Sequence, residues 1–356
     1  MGRVGNILKT IGKVLLGILL VLILIAGAFF IWLRSDGPEV TECDTEFRLY
    51  EHSFGVTCIP ENPERVLAYG TSASQFYAAI ERPMAMLVTD LDEFTAADIP
   101  GLYDHIREVN DGVIDLGRLG GGLGPNMEIL LQIDPDLIVS EWPVSDDIAK
   151  TASLVAPVVF VTELGGWEDV MLTAGDVIAE KEQAEFLLES YHERVQILQD
   201  QFDDPSEITI ANVRLFNDLP RVQMPVTFSG QVIQDVGFSF PEAQMELVED
   251  DPDVFQIDFN KERIDLIDAD YIFIYAGSVD ALLAELGADG PTLVANFVDD
   301  PLFQFLDAAQ SGNVYETDIY WAVTGINTAH YVLDDLFRIV AGVDPEEVAP
   351  NPLLLE

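Results

Sequence analysis

The 356-residue chain has four histidines, His52, His105, His192 and His330, and two cysteines, Cys43 and Cys58. No two histidines are four apart and none adjoins a cysteine, so the spacing that holds zinc is missing. No G-x-S-x-G occurs to present a nucleophile on a sharp strand-to-helix turn. Gly120-Gly121-Gly122-Leu123-Gly124-Pro125 lacks the GKS/T ending of a phosphate loop and the strand that leads into one, so it reads as a turn. Carboxylate pairs abound among 63 acidic residues, and no acid–base dyad can be singled out. The expectation is a protein that performs no catalysis and holds no metal or cofactor of its own.

A sharper signal occurs twice. Asn126-Met127-Glu128-Ile129-Leu130-Leu131-Gln132-Ile133-Asp134-Pro135-Asp136-Leu137-Ile138-Val139 is answered by Asn260-Lys261-Glu262-Arg263-Ile264-Asp265-Leu266-Ile267-Asp268-Ala269-Asp270-Tyr271-Ile272-Phe273-Ile274. In each, a polar cap opens a short helix with an early Glu, and an Asp-x-Asp turn leads into a buried strand. Helix-dipole attraction alone accounts for a Glu at that position.

The surrounding elements alternate. Strands are expected at Arg65–Gly70, Met84–Val88, Asp136–Ser140, Val158–Val161, Ile208–Val213 and Tyr271–Tyr275. Helices are expected at Ser72–Ile80, Ala149–Leu154, Gly230–Val236, Val279–Leu286 and Thr328–Val340. Such alternation implies parallel sheets covered on both faces. Trp167–Phe202 has no Pro, and Leu187, Leu188, Tyr191, Val195 and Leu198 recur at helical spacing, so a long helix, broken near Glu180, joins two α/β lobes.

A net charge of −46 argues against nucleic acid and against docking on anionic lipid through a basic patch. It is compatible with a saline habitat, where screening shortens charge repulsion. Val14–Leu33 is an unbroken apolar run preceded by Arg3, Lys9 and Lys13, long enough to cross a bilayer with the bulk of the chain outside the cytoplasm. An uncleaved anchor is favoured over a cleaved signal peptide, because the apolar run continues past Ala26-Gly27-Ala28. Lipidation of Cys43 is disfavoured by the Glu before it. Cys43 and Cys58, both beyond the membrane, are expected to form a disulfide; free thiols or metal ligands are the alternatives.

The sequence resembles the extracytoplasmic substrate-binding proteins of iron–siderophore and cobalamin ABC transporters, from about Thr57 to Gly342. The resemblance is carried by Thr57-Cys58-Ile59-Pro60 with Pro63-Glu64-Arg65-Val66, and by both repeated segments. It ends with Gly312-Asn313-Val314-Tyr315 and Leu333-Asp334-Asp335-Leu336-Phe337. It implies two Rossmann-like lobes joined by a single long helix, the class III binding-protein architecture, preceded here by one transmembrane helix. The expected layout is an anchor at 1–34, a stalk and hairpin at 35–62, an N-lobe at 63–166, a bridging helix at 167–203, a C-lobe at 204–348 and a tail at 349–356.

The resemblance also implies a function: capture of a ferric siderophore in the inter-lobe cleft and delivery to a permease and its ATPase. The binding domain is expected to be a monomer outside the membrane, with iron arriving already chelated. Cobalamin or haem is an alternative ligand, with His105 the one haem candidate; a secreted carboxylate-dependent hydrolase or a sensory ectodomain is a more distant reading. Glu128 and Glu262 match the family's permease-docking positions. Strand ends together with the resemblance nominate Tyr69, Trp142, Tyr275 and Trp321 as ligand contacts, with Arg214 and Arg221, which flank the second lobe's first hairpin. Many members carry an arginine where Asn212 stands, two residues before Arg214.

Overall fold

A computed structural model describes residues 42–52, 55–82, 86–87, 127–141, 150–161, 166–216, 219–276 and 293–353. Val14–Leu33, His105, Gly120–Pro125, Trp142 and Val279–Leu286 lie outside the described residues, as do the side chains of Tyr69 and Glu128. Among the described residues no helix is long and apolar enough to cross a membrane.

The first elements form an antiparallel hairpin of β1 (Phe47–His52) and β2 (Gly55–Pro60). Both cysteines are disulfide-bonded, and as the chain has only two, Cys43 is joined to Cys58 of β2. This decides between the readings left open above: neither sulfur is a free thiol, a metal ligand or a site for a lipid. Arg48 ties the hairpin to the lobe behind it, donating from Nη2 to the carbonyl of Asp176 at 2.6 Å.

The N-terminal sheet has the order β4-β3-β5-β6, with β3 at Val66–Tyr69, β4 at Met86–Leu87, β5 at Leu137–Ser140 and β6 at Val158–Phe160, all parallel. Every residue of β5 and β6 is buried, as in a sheet covered on both faces. Helices α1 (Thr71–Ala79) and α2 (Met127–Ile133) lead from and into its strands.

The second sheet is mixed. Its order is β11-β10-β7-β8-β9, with β7 at Ile210–Phe216, β8 at Leu219–Gln223, β9 at Gln256–Asp258, β10 at Tyr271–Tyr275 and β11 at Val314–Glu316. Strands β7, β10 and β11 are parallel; β8 pairs antiparallel with β7, as the expected hairpin requires, and β9 pairs antiparallel with β8, so the sheet is mixed where the alternation implied parallel sheets. The reason is local: β7 and β8 are separated by Asn217 and Asp218, too short a link for a parallel crossover. Alternate residues of β7 serve different cores. Ala211, Val213 and Leu215 pack with Ile272 and Ile274, while Ile210 packs with Phe273 and Tyr275 on the other face.

Between the sheets run α3 (Trp167–Val177) and α4 (Lys181–Gln199). The single long helix is therefore two. Ala179 takes φ 62 and turns the chain, and Gly175 allows the close approach, since a Cβ there would lie 2.7 Å from that of Ala184. The 19-residue α4 is the bridge, about 28 Å long.

The bridge is held by polar contacts as well as packing. The Tyr191 hydroxyl donates to Asp235 at 2.7 Å, tying α4 to α5 (Phe228–Val236) of the second lobe. After α6 (Glu242–Asp250), α7 (Leu293–Val298) and α8 (Asp307–Ser311), α9 (Ile326–Asp335) returns to the bridge. Buried Arg194 of α4 donates to Asp334, to His330 Nδ1 at 2.9 Å and to the Ala349 carbonyl at 2.9 Å. Burial and this guanidinium hold His330 well below the usual histidine range, so it is neutral. Helix α9 was expected to run on to Val340; instead the ladder widens to a π-helix over Leu336–Ala341.

The two halves of the repeated pattern are structurally matched. Asp136 closes the Asp-x-Asp turn before β5 and accepts the N–H groups of Glu64, at 2.6 Å, and Arg65, at 3.0 Å, beside the start of β3. Asp270, before β10, accepts the N–H of Thr209 at 2.8 Å beside the start of β7. In both lobes the second Asp ties neighbouring parallel strands at their amino ends.

Candidate functional site

Parallel sheets place ligands at the carboxyl ends of their strands. Tyr275 ends β10, and Arg214, two residues before the end of β7, is paired with it in register. On the other side, Arg214 pairs with Arg221 of β8, and Arg221 pairs with Asp258 of β9. Directly opposed residues share a face of the sheet. Asp258, Arg221, Arg214 and Tyr275 thus form one row across four strands.

The row has a definite electrostatic character. Arg221 Nε lies 2.6 Å from Asp258 Oδ1, with the arginine side chain 23% exposed. Arg214 and Arg221 are directly opposed across the β7–β8 ladder, a like-charge pairing that anions nearby relieve. The row itself contains one carboxylate against two arginines. Tyr275 is buried, and burial pushes its phenol well above the usual tyrosine range against the pull of Arg214. It therefore keeps its proton. Guanidinium groups in general hold anionic oxygens through charge-assisted hydrogen bonds in a planar fork.

The remaining nominated residues are placed as follows. Trp321 is fully buried, stacks on Phe273 at 4.4 Å and donates from Nε1 to Asp335 at 2.8 Å. Its indole is engaged in the core and presents no wall to a ligand in this structure. Tyr69 ends β3, at the carboxyl edge of the first sheet. Asn212 is buried and donates to Ser229 at 2.5 Å, which ties it to α5.

Glu262 is exposed, second in a 3-10 segment at Lys261–Ile267, and its N–H is capped by Asn260 Oδ1 at 2.9 Å. The expected short helix is instead two 3-10 turns broken at Arg263, whose φ of −116° and ψ of 35° are not helical. Glu128 is likewise second in α2. Each stands at the amino end of the segment that precedes a parallel strand.

Residue-by-residue reading of the sequence missed Glu141. It directly follows β5, and its carboxylate accepts the N–H groups of Ser72, at 3.1 Å, and Ala73 at the start of α1. Burial pushes the carboxyl up to about 7, with the backbone N–H groups pulling the other way. The only sequence signal was its position at a strand end. Among the described residues no group of three or more His, Cys, Asp or Glu could hold a metal ion.

Residues 101–320, more than half of the chain, match the family model described as periplasmic binding protein. The chain belongs to that family. Its members are binding proteins rather than enzymes. A probable siderophore-binding lipoprotein, YfiY, of Bacillus subtilis is 25% identical over 85% of this chain and 90% of its own length. The achromobactin-binding periplasmic protein of Dickeya dadantii is 25% identical over 78% of this chain and 86% of its own. Among solved structures, Staphylococcus aureus SirA complexed with staphyloferrin B superposes with a TM-score of 0.68 at 21% identity, over 82% of this chain and 98% of that one. At that identity the superposition establishes the fold.

Proposed function

We propose that this periplasmic binding protein captures a ferric siderophore between its lobes, outside the cytoplasm, and delivers it to an ABC permease. The observation that carries this reading is the row Arg221–Arg214–Tyr275 at the carboxyl edge of the second sheet. In a chain of net charge −46, two adjacent arginines make a local positive site that attracts an anionic chelate. The relatives named for siderophores support the ligand class. Iron enters already wrapped by its chelator, so the protein supplies hydrogen bonds and shape rather than metal ligands.

Two further parts belong to the proposal. Val14–Leu33 anchors the chain in the membrane as a single span, and the binding unit works there as a monomer. Exposed Glu262 and its counterpart Glu128 dock the loaded protein on arginines of the permease, one carboxylate per lobe. Carboxylates a lobe apart read the separation of the lobes, since both contacts form together only when the spacing fits.

The test is titration of the purified protein with ferric carboxylate, catecholate and hydroxamate chelates, haem and cobalamin, followed by Trp fluorescence. Arg214→Met and Arg221→Met should each weaken an anionic chelate about tenfold or more, the size of one charge-assisted hydrogen bond. Tight binding of haem or cobalamin alone, untouched by either substitution, would replace the siderophore reading.

A further inference from the structure

Helix α1 has no cap of its own. Its N-cap is Gly70, no side chain bonds back from there, and its first turn contains no acidic residue. A carboxylate from far along the chain takes that place: Glu141 accepts from Ser72 and Ala73, nearly seventy residues earlier. The space is made by Gly70, where a Cβ would lie 2.4 Å from the Glu141 carboxyl carbon, at a φ of 145° that side chains rarely adopt. Gly70 and Glu141 are thus two parts of one device, and both follow directly on strands, β3 and β5, at the carboxyl edge of the first sheet.

Among the described residues the arginines of the two carboxyl edges stand on the second: Arg214 and Arg221, the latter paired with Asp258, while Asp318 follows β11 there. The first-sheet edge has Glu141 seated on the exposed N–H groups of α1, the point where a helix would otherwise attract an anion. The second-sheet edge has Arg214 and Arg221. We infer that Glu141 is a specificity-determining residue: it closes the first lobe to anionic oxygens, so that a bound chelate turns its charged face to Arg214 and Arg221. This rests on the crevice reading above and adds the polarity of the ligand within it. A neutral chelate has no such preference.

The charge of Glu141 is also adjustable. Its carboxyl titrates about 7, and the titratable side chain that interacts with it among the described residues is Tyr77 of the same helix, a buried phenol that stays neutral. Between pH 6 and pH 8 the first-lobe edge therefore passes from mostly neutral to mostly negative, while the arginines do not change.

The experiment compares the wild-type protein and Glu141→Gln with two probes, ferric citrate as an anionic chelate and a neutral ferric trihydroxamate. The amide keeps one oxygen to accept an N–H of α1 and removes the charge. At pH 8 Glu141→Gln should bind ferric citrate about fivefold more tightly, the effect of one unit charge at a few ångströms in a water-like dielectric. Its affinity for the hydroxamate should be unchanged. In the wild type, affinity for ferric citrate should rise as pH falls from 8 to 6, and this slope should vanish in the variant. The wild-type slope is readable even if the variant does not fold. An equal change for both probes, or a flat wild-type profile with ferric citrate bound, overturns the role of Glu141 and leaves the crevice reading standing. Failure of the wild type to bind these probes or a ferric catecholate overturns both.

Discussion

Removing Arg194 from the bridging helix should destabilise the protein far more than an ordinary surface substitution. Its guanidinium is in contact with Asp334, with side chains 4% and 6% exposed, and also serves His330 and the Ala349 carbonyl. In Arg194→Leu, Asp334 retains the hydrogen bond from Asn351 at 3.3 Å and loses its ion-pair partner, leaving a buried carboxylate. Stranding one partner of a buried ion pair costs about 3–5 kcal/mol. For a domain of this size each kcal/mol moves the thermal midpoint by roughly 2–4 °C, so a fall of about 10 °C is expected.

The double variant Arg194→Leu/Asp334→Leu should recover most of that loss, because no charge remains unpaired. Thermal unfolding followed by circular dichroism at pH 7 measures both. A fall of under about 2 °C in the single variant would show that the ion pair does not pin the bridge. A double variant as unstable as the sum of the singles would mean that packing, rather than an uncompensated charge, carries the effect. The bridge matters for function because α4 sets the separation of the lobes that the permease is proposed to read.

Other outcomes follow from the same geometry. Glu128→Ala and Glu262→Ala should leave chelate affinity intact while lowering uptake in cells, and a loss of affinity would place them in the pocket instead. Glu141 titrates near 4.5 when unfolded and about 7 when folded, so the folded chain holds more protons between those values. Its contribution to stability therefore falls as pH rises from 5 to 8. Urea midpoints of Glu141→Gln should show less of that fall than the wild type, and parallel curves would refute the assignment. Reduction of the Cys43–Cys58 bond should lower the thermal midpoint, a loop of this length being worth about 3 kcal/mol in the chain-entropy model; an unchanged midpoint on adding reductant would contradict it.

Much of the scaffold was legible because its signals are local. Tyr271–Tyr275 is a strand because five apolar residues follow an Asp-x-Asp turn, and that boundary is matched to the residue. The break near Glu180 was expected within a helical run, and Ala179 provides it. The antiparallel pairing of β9 with β8 was hidden, since it depends on where the long link through α5 and α6 returns the chain, which hydrophobic pattern does not encode. Arg214 and Arg221 were legible as residues flanking a hairpin, but that they are directly opposed needed the register. Trp321 shows the opposite limit: an aromatic after a strand reads alike whether it walls a cleft or stacks on Phe273. Glu141 was invisible because its partners are backbone groups of a helix formed by a distant segment.

The central claim is that the carboxyl edges of the two sheets enclose a ferric chelate. A crystal structure grown with the bound siderophore, with the iron located by its anomalous scattering, tests it most directly. The account predicts a single iron site between the ends of β3 and β5 on one side and β7 and β10 on the other, with chelate oxygens on Arg214 and Arg221. Iron bound elsewhere on the surface, or a chelate held with no contact to either arginine, would contradict it.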